Sequence, residues 1–562
     1  MNSDIEALAD ELVNAQLTCE PLEAALLGLH NDGAPLADLR DEVMAEFQST
    51  FRSIAARANA LADDGDSATW DEMDILTLDL VRFTAASLAD RLEVPTLQFT
   101  LTDFEVAPFS GLLSVLGQLG LDSDERRDEQ LARLAVLPTF LAQVAEQHRT
   151  GVRTGLTAVA RGVAATIDQL DKVLADPAFG GLRRTVDGAD DFNRDQDHLL
   201  DDVVAPALRT YRQVLASEIL PAGRSDDQPG LCWLPGGDRL YDIARRYSTS
   251  TDQTSEDLHQ LGLAIIDALH AQFAEVGARV WGTTDVAEIH HRLRSDPQLR
   301  FTTADEILDA AITTVRRAEA VAPQWFGETP HTPCAVKPIP EALAEGSAPA
   351  YYYAGSLDGS RVGTYFINTS RPGERFRYFA EAVAFHEAVP GHHFQLTIAQ
   401  ELGVHLAHKL FGDVTTAEGW GLYAERLADE MGLYSDDIAR LGLLSTDAWR
   451  AARLVLDTGL HALGWSRQQA IDWMTDHVPM SQVEVISEVD RYISMPGQAL
   501  AYMVGRLEIE GLRARASLAL AERFDVRDFH DLVLRCGPVS PPALSAAVTR
   551  WLDAQSASVH ST

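Results

Sequence analysis

A short stretch rich in histidine, Phe385 to Gln395 (FHEAVPGHHFQ), constrains the fold of this chain most strongly. His386 and Glu387 are adjacent, and His392 and His393 follow a Pro-Gly break. Proline removes a backbone donor and clashes with the preceding turn, so these residues cannot form one regular helix. The break therefore predicts a kink or a bulge between the two groups of histidines.

The spacing of the histidines decides which of them can share a metal ion. A helix presents residues i and i+4 on one face, but here the histidines are six or seven positions apart. A bulge that absorbs two residues would make His392 behave as an i+4 partner of His386. We predict His386 and His392 as ligands, with His386 and His393 as the alternative pair. Taken alone, the motif also fits two buried histidines on a Pro-kinked core helix.

Glu418 supplies a carboxylate 26 residues after His392, within TTAEGWGLYAERL. Two imidazoles and one carboxylate are the ligand set of a catalytic zinc ion that keeps its fourth position open. Glu387, beside the first histidine, stands where a general base is expected. Glu425 lies seven residues after Glu418 on the same helix face, and we predict that it orients a ligand or forms an ion pair.

The composition limits the organisation of the chain and its partners. A length of 562 residues predicts two or more closely packed lobes. The net charge of -38, from 84 acidic and 46 basic residues, argues against nucleic acid and anionic membrane surfaces as partners. The four cysteines show no CxxC spacing, the N-terminus has no signal-peptide pattern, and no run of eighteen apolar residues occurs. These features predict a cytoplasmic protein.

The pattern along the chain predicts a mainly helical protein with a small β-ribbon. Residues 1–330 show helical periodicity and are predicted to form a lobe that serves as scaffold and cleft wall. Thr254 and Asp257 have the spacing of a capping box. Residues 331–562 are predicted to form the metal-binding lobe, with strands near 350–370. An edge strand there could bind an extended peptide, or the ribbon could be purely structural.

Arg453, Asp457 and His461 stand at i, i+4 and i+8 in WRAARLVLDTGLHALGW. A carboxylate between an arginine and a histidine on one helix stripe predicts a polar network. That network could orient a metal ligand or bind a substrate carboxylate. It could equally be a satisfied ion network in the protein interior.

A second group of candidate residues surrounds a Pro-Gly helix start in RYISMPGQALAYMVGRLEI. A phenol or a guanidinium close to the metal could stabilise the oxyanion that forms when water attacks a carbonyl. Taken without the histidine motif, these residues would be ordinary helix residues. The candidates are Tyr492, Gln498, Tyr502 and Arg506.

Several blocks of the sequence resemble a known bacterial family, called domain of unknown function 885. The blocks HEAVPGHHFQ, AEGWGLYAE, RLVLDTGLH and YISMPGQALAYMVG resemble its signatures, and LPGGDRLY, PQWFGETP and SLDGSRVGTYFIN match further upstream. The resemblance covers roughly residues 230–550. The family is grouped with the gluzincin metallopeptidases, and this grouping implies peptidase chemistry.

The arrangement is similar to that of thimet oligopeptidase, angiotensin-converting enzyme and the carboxypeptidase Taq family. In those proteins a ligand glutamate follows the zinc helix, and Glu418 and Glu425 match that pattern. Gly391-His392 resembles the GH of their HExGH motif, which supports His392 over His393; the two-residue Val-Pro insertion departs from it. The resemblance implies a helical ellipsoid with a deep cleft that admits short peptides.

These observations lead to the hypothesis of a zinc metallopeptidase that cleaves short peptides. Glu387 would be the general base, and Tyr502, helped by His461 or Tyr492, would stabilise the oxyanion. Arg453, Arg491 or Arg506 could hold a C-terminal carboxylate, which would favour carboxypeptidase or dipeptidase action. Two alternatives remain: a metal-dependent enzyme that acts on a non-peptide amide or a specialised metabolite, and a peptide-binding protein without catalysis.

Overall fold

The chain folds into a mainly helical protein. The computed structural model describes residues 2–29, 33–64, 70–340, 344, 348–355, 361–402 and 404–559. Helices make up 73% of it, and the described strands form a three-stranded sheet. This architecture confirms the predicted fold class, mainly α with a small β element.

Helices follow one another through the first part of the chain, up to residue 321. Thr254 and Asp257 each cap the backbone of the other at the start of a helix, which confirms the predicted capping box. Segments of π-helix at Leu199–Val204 and Leu215–Ile219 extend two of the helices. The α-helices are α1 (Ser3–Cys19), α2 (Pro21–Leu26), α3 (Asp41–Asp64), α4 (Glu72–Arg91), α5 (Thr96–Phe99), α6 (Pro108–Gln118), α7 (Asp124–Thr154), α8 (Ala160–Ala175), α9 (Asp190–His198), α10 (Ala205–Val214), α11 (Gly237–Thr249), α12 (Ser255–Trp281), α13 (Val286–Ser295) and α14 (Ala304–Val321).

The second part of the chain contains the sheet and the helices of the histidine motif. Its strands are β1 (Ala335–Pro338), β2 (Ala350–Tyr353) and β3 (Thr364–Ile367). Its helices are α15 (Ala380–Glu387), α16 (His392–Glu401), α17 (Leu406–Leu410), α18 (Val414–Glu430), α19 (Asp437–His461), α20 (Arg467–His477), α21 (Gln482–Ser494), α22 (Ala501–Leu520), α23 (Val526–Cys536) and α24 (Pro541–Val559).

The small sheet lies beside the first helix of the histidine motif. Strand β3 is central, with β1 parallel on one side and β2 antiparallel on the other. Strand β2 contacts α15. The sheet confirms the predicted ribbon near residues 350–370, and β1 adds a strand from the proline-rich segment before it. The predicted Asp-Gly turn at residues 358–359 lies outside the described residues.

The hydrophobic cores join distant parts of the chain. One core combines α1, α3 and α4 with α14, α15, α18 and the C-terminal helices. A second core combines α12 and α13 with α19, α21 and α22. Both cores therefore include side chains from either side of residue 330, and the division into lobes 1–330 and 331–562 stays a prediction.

Of the described helices, α12 alone is long and apolar enough, by length and composition, to cross a membrane. In this fold α12 packs against α19 and buries Ile266, Leu269 and Phe273 in the second core. These apolar side chains therefore have partners inside the protein.

Helices α18 and α22 approach each other closely at two glycines. A Cβ added to Gly419 would lie 2.3 Å from the carbonyl carbon of Gly505, and one added to Gly505 would lie 1.8 Å from the carbonyl oxygen of Thr415. Real side chains cannot adopt such distances, so the crossing requires glycine in both helices. This close approach places Tyr502, in the first turn of α22, within electrostatic range of Glu418.

Candidate metal centre

A turn divides the histidine motif into two helices. Helix α15 ends at Glu387, and α16 begins at His392 after a four-residue turn with a cis Val389–Pro390 bond. The helix is therefore interrupted at the predicted Pro-Gly break, by a turn between two helices and not by a bulge that absorbs two residues. A Cβ at Gly391 would lie 1.8 Å from the carbonyl oxygen of His386, so the chain can fold back this tightly only at glycine. The turn directs the side chains of His386 and His392 toward the same space.

His386, His392 and Glu418 converge on one point. Their ligand atoms all lie within 4.8 Å of one another. Nε2 of His386 lies 3.4 Å from Oε2 of Glu418, and Nε2 of His392 lies 3.6 Å from the same oxygen. Hydrogen bonds are shorter, about 2.7–3.2 Å, whereas a tetrahedral zinc ion with bonds of about 2.0–2.1 Å separates its ligand atoms by about 3.3 Å. The cluster could hold a metal ion, and its spacing and donor atoms fit one.

His393 faces away from this cluster. Its Nε2 donates to the carbonyl oxygen of Thr332 at 3.1 Å, and its Nδ1 lies 3.0 Å from the Tyr352 hydroxyl and 3.1 Å from the Thr397 hydroxyl. Burial lowers the pKa of His393 to about 4, so the ring is neutral. Of the two histidines that the spacing left open, His392 joins the cluster and His393 connects α16 to strand β2.

Glu425 holds His386 from the side opposite the cluster. Oε1 of Glu425 accepts a hydrogen bond from Nδ1 of His386 at 2.9 Å, which leaves Nε2 directed at Glu418. The Thr446 hydroxyl donates to the other oxygen of Glu425. A carboxylate in this position fixes the tautomer and the orientation of a metal-binding histidine. The geometry is the one expected for an orienting residue.

Gly421 makes room for the His386 ring between two carboxylates. Glu418, Gly421 and Glu425 stand at i, i+3 and i+7 on α18 and therefore share one face. A Cβ at Gly421 would lie 2.5 Å from Cε1 of His386 and 2.8 Å from each of its ring nitrogens. The imidazole thus occupies the space that any other side chain at position 421 would fill.

The two carboxylates change the protonation of the cluster. Burial by itself would lower the pKa of His386, but Glu418 and Glu425 outweigh burial and raise that pKa to about 10. Burial also opposes ionisation of Glu418, whereas the adjacent rings of His386 and His392 hold its pKa well below the ordinary value. The cluster therefore presents an ionised carboxylate at neutral pH.

Glu387 ends α15 directly after His386 and is half-buried. Among the described residues its carboxylate has no hydrogen-bond partner. Tyr365 on β3 is fully buried, and its hydroxyl has no hydrogen-bond partner either. Burial raises the pKa of Tyr365 well above its ordinary value, and the charge of Glu387 raises it further. A carboxylate that is free to accept a proton thus lies next to the cluster.

Tyr502 lies near the cluster, as predicted for an oxyanion-stabilising residue. Burial raises the pKa of its phenol, and the charge of Glu418 raises it further, so Tyr502 keeps its proton. The Arg453 guanidinium lies 4.1 Å from the centre of its ring. Gln498 also lies near Tyr502, and its Oε1 accepts a hydrogen bond from Nη1 of Arg491 at 2.8 Å. These contacts hold a protonated phenol beside Glu418.

Three other predicted substrate-binding or catalytic residues are already paired with carboxylates. Nη2 of Arg491 donates to Glu488 at 2.9 Å. Tyr492 is fully buried, and its hydroxyl donates to Glu488 at 2.6 Å. Nη1 of Arg506 donates to the buried Asp447 at 2.7 Å. Their contacts are those of structural residues.

Arg453, Asp457 and His461 do not bond to one another, contrary to the predicted network. Asp457 accepts hydrogen bonds from the Gly497 amide at 3.0 Å and from the Tyr241 hydroxyl at 2.5 Å. Both ring nitrogens of His461 bond to backbone groups, at 3.1 and 3.0 Å. Asp457 therefore positions the turn before α22, and the geometry gives His461 no nitrogen for an oxyanion.

The sequence prediction missed Trp449 and Arg450, which lie next to Arg453. Nε1 of Trp449 donates to Glu488 at 3.1 Å. The guanidinium carbons of Arg450 and Arg453 lie 4.0 and 4.6 Å from the centre of the Trp449 ring. The three-residue spacing of the arginines in WRAARLVLD was a usable signal, because residues at i and i+3 share a helix face.

A cavity of about 540 Å³ opens beside this network. Arg491 and Met495 line one side of it, and Phe104, Gln169 and Lys172 belong to its lining from the first part of the chain. Residues far apart in sequence therefore line a space next to Arg491, the residue that pairs with Glu488. The predicted deep cleft over the cluster stays a prediction.

The chain matches one protein family over most of its length. A family model described as "Bacterial protein of unknown function (DUF885)" matches residues 21–548, which confirms the resemblance of the sequence blocks. The fold is similar to that of a putative lipoprotein from Colwellia psychrerythraea (23% identity, TM-score 0.86, 98% of this chain and 99% of that chain). It is also similar to a putative lipoprotein of unknown function from Shewanella oneidensis (17% identity, TM-score 0.77, 96% and 99%). No match is found among curated proteins.

These similar structures correct the predicted location. The composition and the N-terminal residues predict a cytoplasmic protein, but both solved structures are described as putative lipoproteins. The cytoplasmic prediction is therefore wrong. Net charge describes how a surface is solvated and what it attracts, and it does not encode the compartment in which a protein works.

Proposed function

We propose that this chain, which belongs to the DUF885 family of bacterial proteins of unknown function, is a zinc-dependent hydrolase that cleaves short peptides. The observation that carries this proposal is the convergence of His386, His392 and Glu418 beside the half-buried carboxylate of Glu387. Two imidazoles and a carboxylate form the ligand set of a catalytic zinc ion with one open position. The resemblance to gluzincin metallopeptidases supports a peptide as the substrate.

The donor atoms of the cluster favour zinc among the common divalent ions. Imidazole nitrogens suit zinc, whereas calcium and magnesium prefer oxygen ligands. When bound, zinc supplies a Lewis acid that polarises a carbonyl and lowers the pKa of a bound water to about 7. Glu425 keeps Nε2 of His386 directed at the site through its 2.9 Å hydrogen bond to Nδ1.

Glu387 and Tyr502 supply the remaining chemistry. Glu387 accepts a proton from the attacking water and passes it to the leaving amine. Its position directly after His386, and its lack of a partner among the described residues, suit that role. Tyr502 keeps its proton and donates a hydrogen bond to the oxyanion that forms on the substrate carbonyl. The Arg453 guanidinium packs on the ring and holds the phenol in place.

Replacement of Glu387 separates the chemistry from metal binding. Glu387→Gln is expected to retain about one zinc per chain and to lose peptide hydrolysis by about 10²- to 10⁴-fold, the usual contribution of general acid–base catalysis. Glu418→Ala is expected to lose both metal and activity. Glu430 lies on the same helix as Glu418 but pairs with Arg513. Glu430→Gln is therefore the matched control and is expected to retain both metal and activity. Elemental analysis and peptide turnover are the measurements.

Each outcome has a clear meaning for the proposal. Unchanged turnover in Glu387→Gln would refute the mechanism, and metal retained by Glu418→Ala would mean that another ligand completes the site. Zinc binding without peptide cleavage would point to a metal-dependent reaction on a non-peptide amide. A wild-type protein that binds no zinc would point to a peptide-binding protein without catalysis.

A further inference from the structure

Arg450 is a buried arginine that has no counter-charge in the described part of the chain. It lies on α19 with 7% of its surface exposed, and its Nε and Nη1 are covered and have no hydrogen-bond partner. No carboxylate of the described residues lies within ion-pair distance of its guanidinium. The ring of Trp449, 4.0 Å away, is its aromatic neighbour. Buried charges are normally paired, so an unpaired one indicates that the opposite charge arrives with a ligand.

Arg453, one turn further along α19, also lacks a partner for one nitrogen. Its Nη1 is covered and unpartnered, while Nε and Nη2 donate to Tyr492 and Glu488 at 3.2 Å each. Glu488 also pairs with Arg491 at 2.9 Å. Among the described carboxylates, Glu488 therefore serves two guanidinium groups, and Arg450 adds a third positive charge. This local excess contrasts with the net charge of -38 for the whole chain.

The two arginines lie on a stripe of α19 whose two ends contact residues around the metal cluster. Thr446, Arg450 and Arg453 stand at i, i+4 and i+7 and share one helix face. At one end, Thr446 donates to the carboxylate that holds His386. At the other end, Arg453 packs on Tyr502, which lies beside the cluster. Arg450 lies between these contacts. Because an α-helix rises about 1.5 Å per residue, Arg450 is about 6 Å along the helix axis from Thr446.

We propose that Arg450 and Arg453 bind the C-terminal carboxylate of the substrate, so that the protein cleaves a bond within about three residues of the C-terminus. This inference rests on the proposed hydrolase function. The stripe from Thr446 to Arg453 is about 10 Å long, the length of about three extended peptide residues. Guanidinium groups bind carboxylates through short, charge-assisted hydrogen bonds.

A bound carboxylate would supply an acceptor to the two guanidinium groups and would neutralise their excess charge. Hydrolysis then breaks the C–N bond, adds the hydroxyl of water to the carbonyl carbon and gives a proton to the leaving amine. The amine product keeps the carboxylate that the arginines hold. The protein would therefore act as a carboxypeptidase on short peptides or as a dipeptidase.

Two ligands that differ only at the C-terminus test this proposal. One is an N-acetylated tripeptide with a free carboxylate, and the other is the same peptide with a C-terminal amide. The zinc-loaded protein gives kcat/KM for each peptide. Calorimetry with the zinc-loaded Glu387→Gln variant gives the Kd of each peptide. The free carboxylate is expected to be preferred by about 10- to 100-fold, the usual strength of hydrogen bonds to a charged group.

The arginine variants locate that preference. Arg450→Gln and Arg453→Gln are each expected to lose most of the preference for the carboxylate, so that the two peptides become nearly equal. Because Arg453 also packs on Tyr502, Arg453→Gln is expected in addition to lower kcat/KM for both peptides. Arg279→Gln is the matched control, because Arg279 is exposed and pairs with Asp437 at the start of the same helix. This control is expected to behave as the wild-type protein does.

Thermal stability distinguishes a ligand-binding arginine from a structural one. Because Arg450 carries a covered charge without a partner, Arg450→Gln is expected to keep or raise the Tm of the ligand-free protein. The tripeptide carboxylate is expected to raise the Tm of the wild-type protein more than that of the variant. If Arg450 were a structural residue, its replacement would instead lower the Tm of the ligand-free protein.

The outcomes keep this inference apart from the proposed function. Equal binding of carboxylate and amide, or a preference that survives both arginine variants, would overturn the carboxylate site. If no peptide is cleaved but carboxylate binding depends on Arg450 and Arg453, the hydrolase proposal fails and the anion site stands. Cleavage without any dependence on the two arginines overturns the site and leaves the hydrolase.

Discussion

Gly421→Ala is expected to weaken metal binding while the helix that carries it stays intact. The added Cβ would lie 2.5 Å from Cε1 of His386, whereas non-bonded carbon atoms normally approach to about 3.5–4.0 Å. The imidazole must therefore move by about 1 Å. It is bonded to Glu425 at 2.9 Å on one side and faces Glu418 on the other, so a shift of this size disturbs at least one of these contacts.

Two opposing effects determine the magnitudes. Alanine is more favourable than glycine in a helix interior by about 1 kcal/mol, and overpacking against the ring costs about 1–3 kcal/mol. Disturbing the carboxylate that orients a metal-binding histidine typically lowers metal affinity by about 10- to 100-fold. The variant is therefore expected to lose no more than about 2 kcal/mol of unfolding free energy and to bind zinc at least about tenfold more weakly.

Competition with a chromophoric chelator measures the zinc affinity, and urea unfolding of the metal-free protein measures the stability. Gly511→Ala on α22 is the matched control, because a Cβ there meets nothing within 4 Å. This control is expected to gain up to about 1 kcal/mol with no change in zinc affinity. Wild-type zinc affinity in Gly421→Ala would refute the argument that this glycine positions His386.

Two further predictions concern the stability of the fold. Burial lowers the pKa of His290 to about 3, so the unfolded chain takes up the proton first as the pH falls below about 6.5, and stability is lost. In urea unfolding, His290 is expected to cost the wild-type protein about 2 kcal/mol of unfolding free energy between pH 6.5 and pH 5, and His290→Leu is expected to abolish this decrease. An unchanged pH dependence in the variant would contradict this reasoning. Asp447 is buried between Arg426 and Arg506, so Asp447→Asn removes the carboxylate that both guanidinium groups share and is expected to cost about 3–5 kcal/mol. The same change at Asp437, near the surface, is expected to cost much less in the same assay, and equal losses would show that burial does not matter here.

The sequence by itself determined the fold class and the chemical identity of the cluster. Helical periodicity, the capping box at Thr254 and the strand-rich residues near 350–370 depend on interactions between near neighbours, and all are present in the structure. Residue type also limits chemistry, because two imidazoles and a carboxylate at the spacing of His386 and Glu418 have few uses together. These features needed no knowledge of distant contacts.

Only the tertiary structure decided which histidine joins the cluster. The spacing left His392 and His393 open, because the outcome depends on how the chain turns at Gly391 and on what surrounds each ring. Thr332 and Tyr352, 61 and 41 residues away from His393, bind its ring and keep it from the cluster. Partners at such distances along the chain do not appear in the local pattern.

The tertiary structure likewise decided which polar residues are satisfied. Along α19, Arg450, Arg453, Asp457 and His461 look alike in the sequence, as polar residues on one helix stripe. The structure gives Asp457 and His461 complete sets of partners and leaves nitrogens of the two arginines without any. A sequence specifies where charges stand along a helix, but their pairing depends on residues that only folding brings within hydrogen-bond distance.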